Sequence, residues 1–241
     1  MNSDNTSSKE FGNELDITRF IEAILFGLGK LSVAIGKTFR DIILKPRKVE
    51  LPTDIASISS LSSDYARPLT YLFLGLFAMS AGVAFVSKND LATVFFMILP
   101  LIGVIGLHGV ITSRVASKQG QRISSGFSIA LSAYTAGTCA WLIVIFLPLC
   151  LIGLYPAKII GVKATKIFST VVVEAIGGII ALGLILRLIY CYCVMLSQQL
   201  DESRAPAAGR IWFISAFRTL VVVYAILFVI FLWSFPILSI F

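Results

Sequence analysis

Five stretches between Leu69 and Phe241 run for about twenty residues each with scarcely a charge, the length a helix needs to cross a hydrocarbon core about 30 Å thick. Nothing else in the sequence constrains the fold as strongly, because backbone in hydrocarbon must satisfy its own hydrogen bonds. The expected spans are 69–87, 91–112, 127–151, 168–188 and 219–241. Composition agrees: 57% of the 241 residues are hydrophobic and 14% charged, where a soluble domain carries roughly a quarter charged residues. The sequence therefore predicts an all-α, polytopic helical membrane protein with five transmembrane helices and an amino-terminal amphipathic helix.

That amphipathic helix is expected over 14–44. Ile17, Ile21, Ile24, Leu28, Leu31, Ile35, Phe39 and Ile42 step by three or four, which aligns them in one stripe, with Glu22, Lys30, Lys37 and Asp41 away from its centre. Charges interrupt the segment, so it reads as lying on a surface rather than spanning one. Two readings of the stripe stand: an interfacial helix on the cytoplasmic leaflet, or a helix docked on the rest of the chain or on a partner. Residues 1–13 read as a disordered tail and 45–68 as a basic, serine-rich linker. Pro46 breaks the helix, and Lys45, Arg47 and Lys48 suit anionic head groups, or simply follow the positive-inside rule. The start MNSDNTSSKE lacks the basic patch and apolar core of a cleaved signal peptide, so the first span is expected to direct insertion.

Orientation follows from the short loops, since those rich in Lys and Arg stay on the cytoplasmic side. With the amino terminus cytoplasmic and the carboxyl terminus opposite, fourteen basic residues fall inside and four outside. Lys158, Lys163 and Lys166 argue the other way locally. The net charge of +7 is then a topological and lipid-facing signal, and no nucleic-acid partner is expected.

Few polar residues enter the spans. His108 reads either as a relay or ligand, or as a neutral side chain that bonds a neighbouring helix or reaches the interface. Glu174 and Arg187 are thirteen residues apart, about 20 Å of rise and about 220° of rotation on a helix, so they cannot pair with each other. Arg187 falls near the cytoplasmic boundary, where its stem lies in lipid and its head reaches the phosphates. Arg218 marks the same boundary at the start of the fifth span, and the segment between them reads as a helical hairpin with its turn at DESRAPAAG. Glu174 remains as a functional residue or a polar anchor near the outer face. Ser128, Ser132, Ala136 and Ala140, Ala78 and Gly82, and Gly177 and Ala181 form small-residue faces for helix packing, within the chain or between copies in a homo-oligomer. Cys139, Cys150, Cys191 and Cys193 all lie in apolar stretches and read as small hydrophobes.

The layout of a cytoplasmic amino-terminal region and five grouped spans resembles the Yip (Ypt-interacting protein) domain family. FRDIILKPRKV resembles that family's segment before the membrane, and GQRISSGFSIALSAYTAGTCAWLIVIFLP its third span, with Ala133 and Tyr134 as the Ala-Tyr pair. The similarity covers about residues 38–241. It implies a bacterial inner-membrane or endoplasmic reticulum and Golgi location, other membrane proteins or a small GTPase as partners, and a role in trafficking or envelope organisation. The amphipathic helix departs from the long polar arm of eukaryotic relatives, and no functional residue carries over. With no zinc motif, Asp pair or nucleophile elbow and a single histidine, the expectation is a non-enzymatic protein without cofactor or metal that organises or recruits partners. The alternative is a small transporter or permease subunit with Glu174 and His108 lining a path.

Overall fold

The computed structural model describes residues 7–49, 51, 65–154, 165–200 and 207–238, with side chains placed for Arg19, 21–49, 51, 65–146, 177–200 and 207–231. The described residues are helical or lie in short connections between helices. In chain order the helices are α1 (Ser7–Leu44), α2 (Pro68–Ser87), α3 (Leu91–Ile98), α4 (Pro100–Lys118), α5 (Ser125–Leu154), α6 (Thr165–Ser197) and α7 (Ala207–Leu238), with a 3-10 turn at Pro46–Lys48. Five helical segments are long and apolar enough to cross a membrane, with α3 and α4 together counting as one. The chain is an integral, multi-pass membrane protein.

Local chemistry sets most of the helix ends. Pro68 opens α2 from the first turn, where a missing N–H costs nothing. The Asp90 carboxylate accepts from the Thr93 N–H at 3.1 Å and caps α3. Ser124 does the same for α5, its Oγ accepting from the Phe127 N–H at 3.1 Å, so this helix starts at Ser125 rather than at the expected 127. Gly120, at φ 75°, supplies the left-handed residue that ends α4.

The second span differs from its expected form in two ways. It is broken at Leu99–Pro100, because proline has no N–H for the helical ladder. It also continues past Thr112 to Lys118, since Val115 and Ala116 keep an apolar face buried in the core while Arg114 and Lys118 stay exposed. Helix α1 begins at Ser7, so residues 7–13 are helical rather than part of a tail. The last two helices run over Thr165–Ser197 and Ala207–Leu238, each extending well past the apolar stretch expected to span.

Helix α5 is the centre of the bundle. Half of its spanning window is buried, against 33% or less for the other four. It packs chiefly on α2 and α4. Glycine makes these approaches possible: a Cβ on Gly137 would lie 2.7 Å from Tyr71 Cδ1, and one on Gly109 2.7 Å from Ile129 Cα. Of the expected face Ser128, Ser132, Ala136 and Ala140, the first two and the last are buried and Ala136 is half-buried. Gly177 and Ala181, by contrast, are exposed, and a Cβ on Gly177 would meet nothing within 4 Å among the described residues.

The larger core cluster gathers at one end of the bundle and includes Ile42 of α1 together with Val115, Leu131, Tyr134, Met195 and Ile211. A smaller cluster, Leu72, Leu76, Ala133 and Ala140, joins α2 to α5. Away from these, Phe73, Phe96, Met97 and most of α7 from Leu220 to Phe231 point outward, as lipid-facing side chains do.

Candidate functional site

The apolar stripe of α1 changes its surroundings along its length. Ile21, Ile24 and Leu28 are exposed, Leu31, Ile35 and Phe39 are half-buried, and Ile42 is fully buried. Phe26 and Val33 are also exposed, at 66% and 72%. The carboxyl-terminal third of the helix is therefore docked on the bundle, and the turns before it present apolar side chains that nothing in the described chain covers. The side chain of Ile17 lies outside the described residues.

Polar contacts fix the docked part. Thr38 Oγ1 donates to the Ala34 carbonyl at 2.7 Å and accepts from the Ala66 N–H at 3.0 Å. The Ala66 carbonyl in turn accepts from the Tyr134 hydroxyl of α5 at 2.8 Å. These bonds tie α1, the lead-in to α2 and the central helix into one unit. Asp41 is buried on this face, not set away from it as the stripe implied, because Arg40 Nε donates to its Oδ1 at 3.0 Å and the Tyr65 hydroxyl to its Oδ2 at 3.1 Å. Burial pushes its carboxyl up, but the bonds from Arg40 and Tyr65 and the charges of Arg40 and Lys37 outweigh that and hold it below the usual carboxylate value.

Arg187 closes the arrangement. Its Nε donates to the Ile43 carbonyl at 3.1 Å, and its Nη2 donates to the same oxygen. Gln198 Nε2 donates to the Pro46 carbonyl at 3.1 Å. The last turn of α1 leaves carbonyls without intrahelical partners and carries the negative end of the helix dipole, so an arginine fork is well suited to it. Arg187 thus has a partner within the chain, as a cap on α1, in addition to the boundary position expected of it. Arg187 and Arg218 consequently do different things: Arg218 is exposed on α7 and flanks a recess with Arg114 and Lys118 of α4. Lys45, Arg47 and Lys48 are exposed around the 3-10 turn, directly beyond the clamp.

His108 sits half-buried at the junction of α4, α6 and α7. Its Nδ1 lies 3.1 Å from Thr219 Oγ1, and its ring is tilted against that of Tyr192 at 5.8 Å. Thr112, one turn along α4, donates to the His108 carbonyl at 2.9 Å and meets the Tyr192 hydroxyl at 3.2 Å. Glu174 belongs to α6, but its side chain lies outside the described residues, as does that of Cys150. Cys139, Cys191 and Cys193 are free thiols. Among the described residues no group of three metal-ligating side chains occurs.

Thr38, Tyr65, Thr112, Tyr192 and Thr219 were not singled out by the sequence reading. For Thr112, Tyr192 and Thr219 the signal is a hydroxyl in an apolar run, which in hydrocarbon seeks partners on adjacent helices, whereas Thr38 and Tyr65 lie in polar sequence and carry no such signal. Comparison with protein-family models, with curated proteins and with solved structures gives no match.

Proposed function

We propose that this chain is a non-enzymatic membrane protein that organises or recruits partners at the membrane surface through α1. One observation carries this reading: the helix is clamped at its carboxyl-terminal end, while Ile21, Ile24, Leu25 and Leu28 remain uncovered. A rigidly held helix that presents an apolar face loses little conformational freedom when a partner covers it. The amino terminus is cytoplasmic in this reading, with the basic loops and Lys45, Arg47 and Lys48 on the same side. The resemblance of residues 38–241 to the Yip family supports trafficking or envelope organisation as the setting, and a small GTPase as one class of partner. The transporter alternative has less support, because His108 is engaged with Thr219.

The test compares what co-purifies from native membranes with the wild type and with the double variant Ile21→Glu, Leu28→Glu. Both positions are exposed, so the fold is left intact and bound membrane proteins are expected to be lost. An unchanged set of co-purifying proteins would refute recruitment through α1.

A further inference from the structure

Helices α4 to α7 do not close on one another beside His108. Between them lies a cavity of about 620 Å³, a size typical of small-molecule sites. Its rim is apolar and exposed, formed by Ile185 of α6 and by Leu220, Tyr224 and Leu227 of α7. All four lie within segments apolar enough to span, so the opening faces hydrocarbon. The lining carries no carboxylate, lysine or arginine: Ser132, Thr135, Tyr192, Thr219, His108 and Trp212 provide its hydrogen-bonding groups, with the Tyr224 hydroxyl at the rim.

The bonding pattern defines what this lining lacks. Thr219 spends its hydroxyl proton on the Ser215 carbonyl at 2.8 Å, so towards His108 it accepts, and Nδ1 must carry the proton. In the neutral ring Nε2 is then a bare acceptor. Thr112 likewise donates to the His108 carbonyl, so the proton between Thr112 and Tyr192 comes from the tyrosine, whose oxygen keeps a free lone pair. Ser132 is 4% exposed, and its hydroxyl lies beside that of Tyr192 without completing a well-formed hydrogen bond. The site thus offers His108 Nε2 as an open acceptor, the Tyr192 oxygen and the loosely engaged Ser132 hydroxyl beside it, and the Trp212 N–H further along the lining. A carboxylate or an ester carbonyl only accepts and would face the Nε2 lone pair unpaired. A phosphate would be buried without a cation. An alcohol both donates and accepts.

We propose that this cavity binds a membrane lipid whose head is an uncharged hydroxyl, its apolar body lying along α7 and its hydroxyl meeting His108 Nε2 and Ser132 Oγ. Two sources share this chemistry, a long-chain alcohol and a diacylglycerol.

The experiment uses the full chain in lipid nanodiscs and a fatty alcohol with a photoactivatable diazirine in its chain as the probe. Labelled peptides are expected to come from the cavity faces of α4 and α7. Unlabelled fatty alcohol or diacylglycerol should compete, the stronger of the two identifying the source, while the fatty acid of the same chain and phosphatidylglycerol should not. Ser132→Ala and His108→Phe should each weaken labelling roughly three- to tenfold, the effect of one lost hydrogen bond. Ala216→Phe, which fills the cavity, should remove it. Ser132→Ala keeps the cavity and removes only an oxygen, so it reports on the site even where the larger substitution fails to fold. Labelling spread over the exposed faces of α2, α4 and α7 alike, or equal competition by the fatty acid, would overturn the proposal.

Discussion

Arg187 and Ile43 lie 144 residues apart, and the guanidinium of the first caps the helix whose last turn holds the second. The amino-terminal helix is thereby held to the fourth spanning segment by an interaction between a side chain and a backbone carbonyl. Because Arg187 is itself exposed, solvent screens its charge, and the cap contributes modestly, roughly 1 kcal/mol. Arg187→Ala should accordingly leave the bundle folded but speed amide exchange over the last two turns of α1. Arg187→Lys should rescue only part of the protection, since an ammonium keeps the charge and loses the fork. Exchange measured by mass spectrometry in detergent reads both; unchanged protection in Arg187→Ala would show that the cap does not hold the helix.

Asp41 makes the docking of α1 sensitive to acid. Its folded value lies below the ordinary 3.8, so its bonds to Arg40 and Tyr65 favour the docked state fully above that value. The contribution is lost as pH falls through 3.8 towards the lower folded value. Amide protection around Thr38 to Leu44 should therefore fall at strongly acid pH and stay flat through neutrality. In Asp41→Asn that acid step should vanish, with protection at neutral pH already down to about the level the wild type shows in strong acid.

Close helix packing depends on particular glycines. Gly109→Ala sets a methyl against the backbone of Ile129, and Gly137→Ala sets one against Tyr71 and the backbone at Leu72. Each should cost roughly 1–3 kcal/mol of stability, as overpacking does. Gly177 and Gly178 meet nothing within 4 Å, and alanine there should be neutral or slightly stabilising through helix propensity. Thermal unfolding in detergent, followed by size-exclusion chromatography, separates the two classes.

These glycines also show where the sequence was legible. Apolar length and helical period were enough for five spans and an amphipathic helix, because both are properties of single segments. Pairing between segments was not readable in the same way. The repeat at Gly177 and Ala181 looks as well suited to packing as the one at Ser128 and Ser132, yet only the second is buried. The partner of Arg187 is a main-chain oxygen, which no side-chain pattern announces. Asp41 interrupts an apolar stripe and was placed on its margin for that reason, although Tyr65, 24 residues away, makes its burial tolerable.

Membrane orientation gives the last prediction. Arg47 and Lys118 both lie at the end of the bundle where α1 docks, and Lys88 follows the opposite end of α2. The excess of basic residues around the first end predicts that it faces the cytoplasm. Arg47→Cys and Lys118→Cys should then react with a membrane-impermeant maleimide only after the membrane is opened, and Lys88→Cys should react in sealed cells or right-side-out vesicles. All three positions are exposed, whereas among the described cysteines Cys191 is buried and Cys139 and Cys193 are partly buried; a Cys150→Ala background removes the remaining thiol. Labelling of Arg47→Cys in sealed vesicles with Lys88→Cys protected would invert the topology and put the uncovered face of α1 on the other side of the membrane.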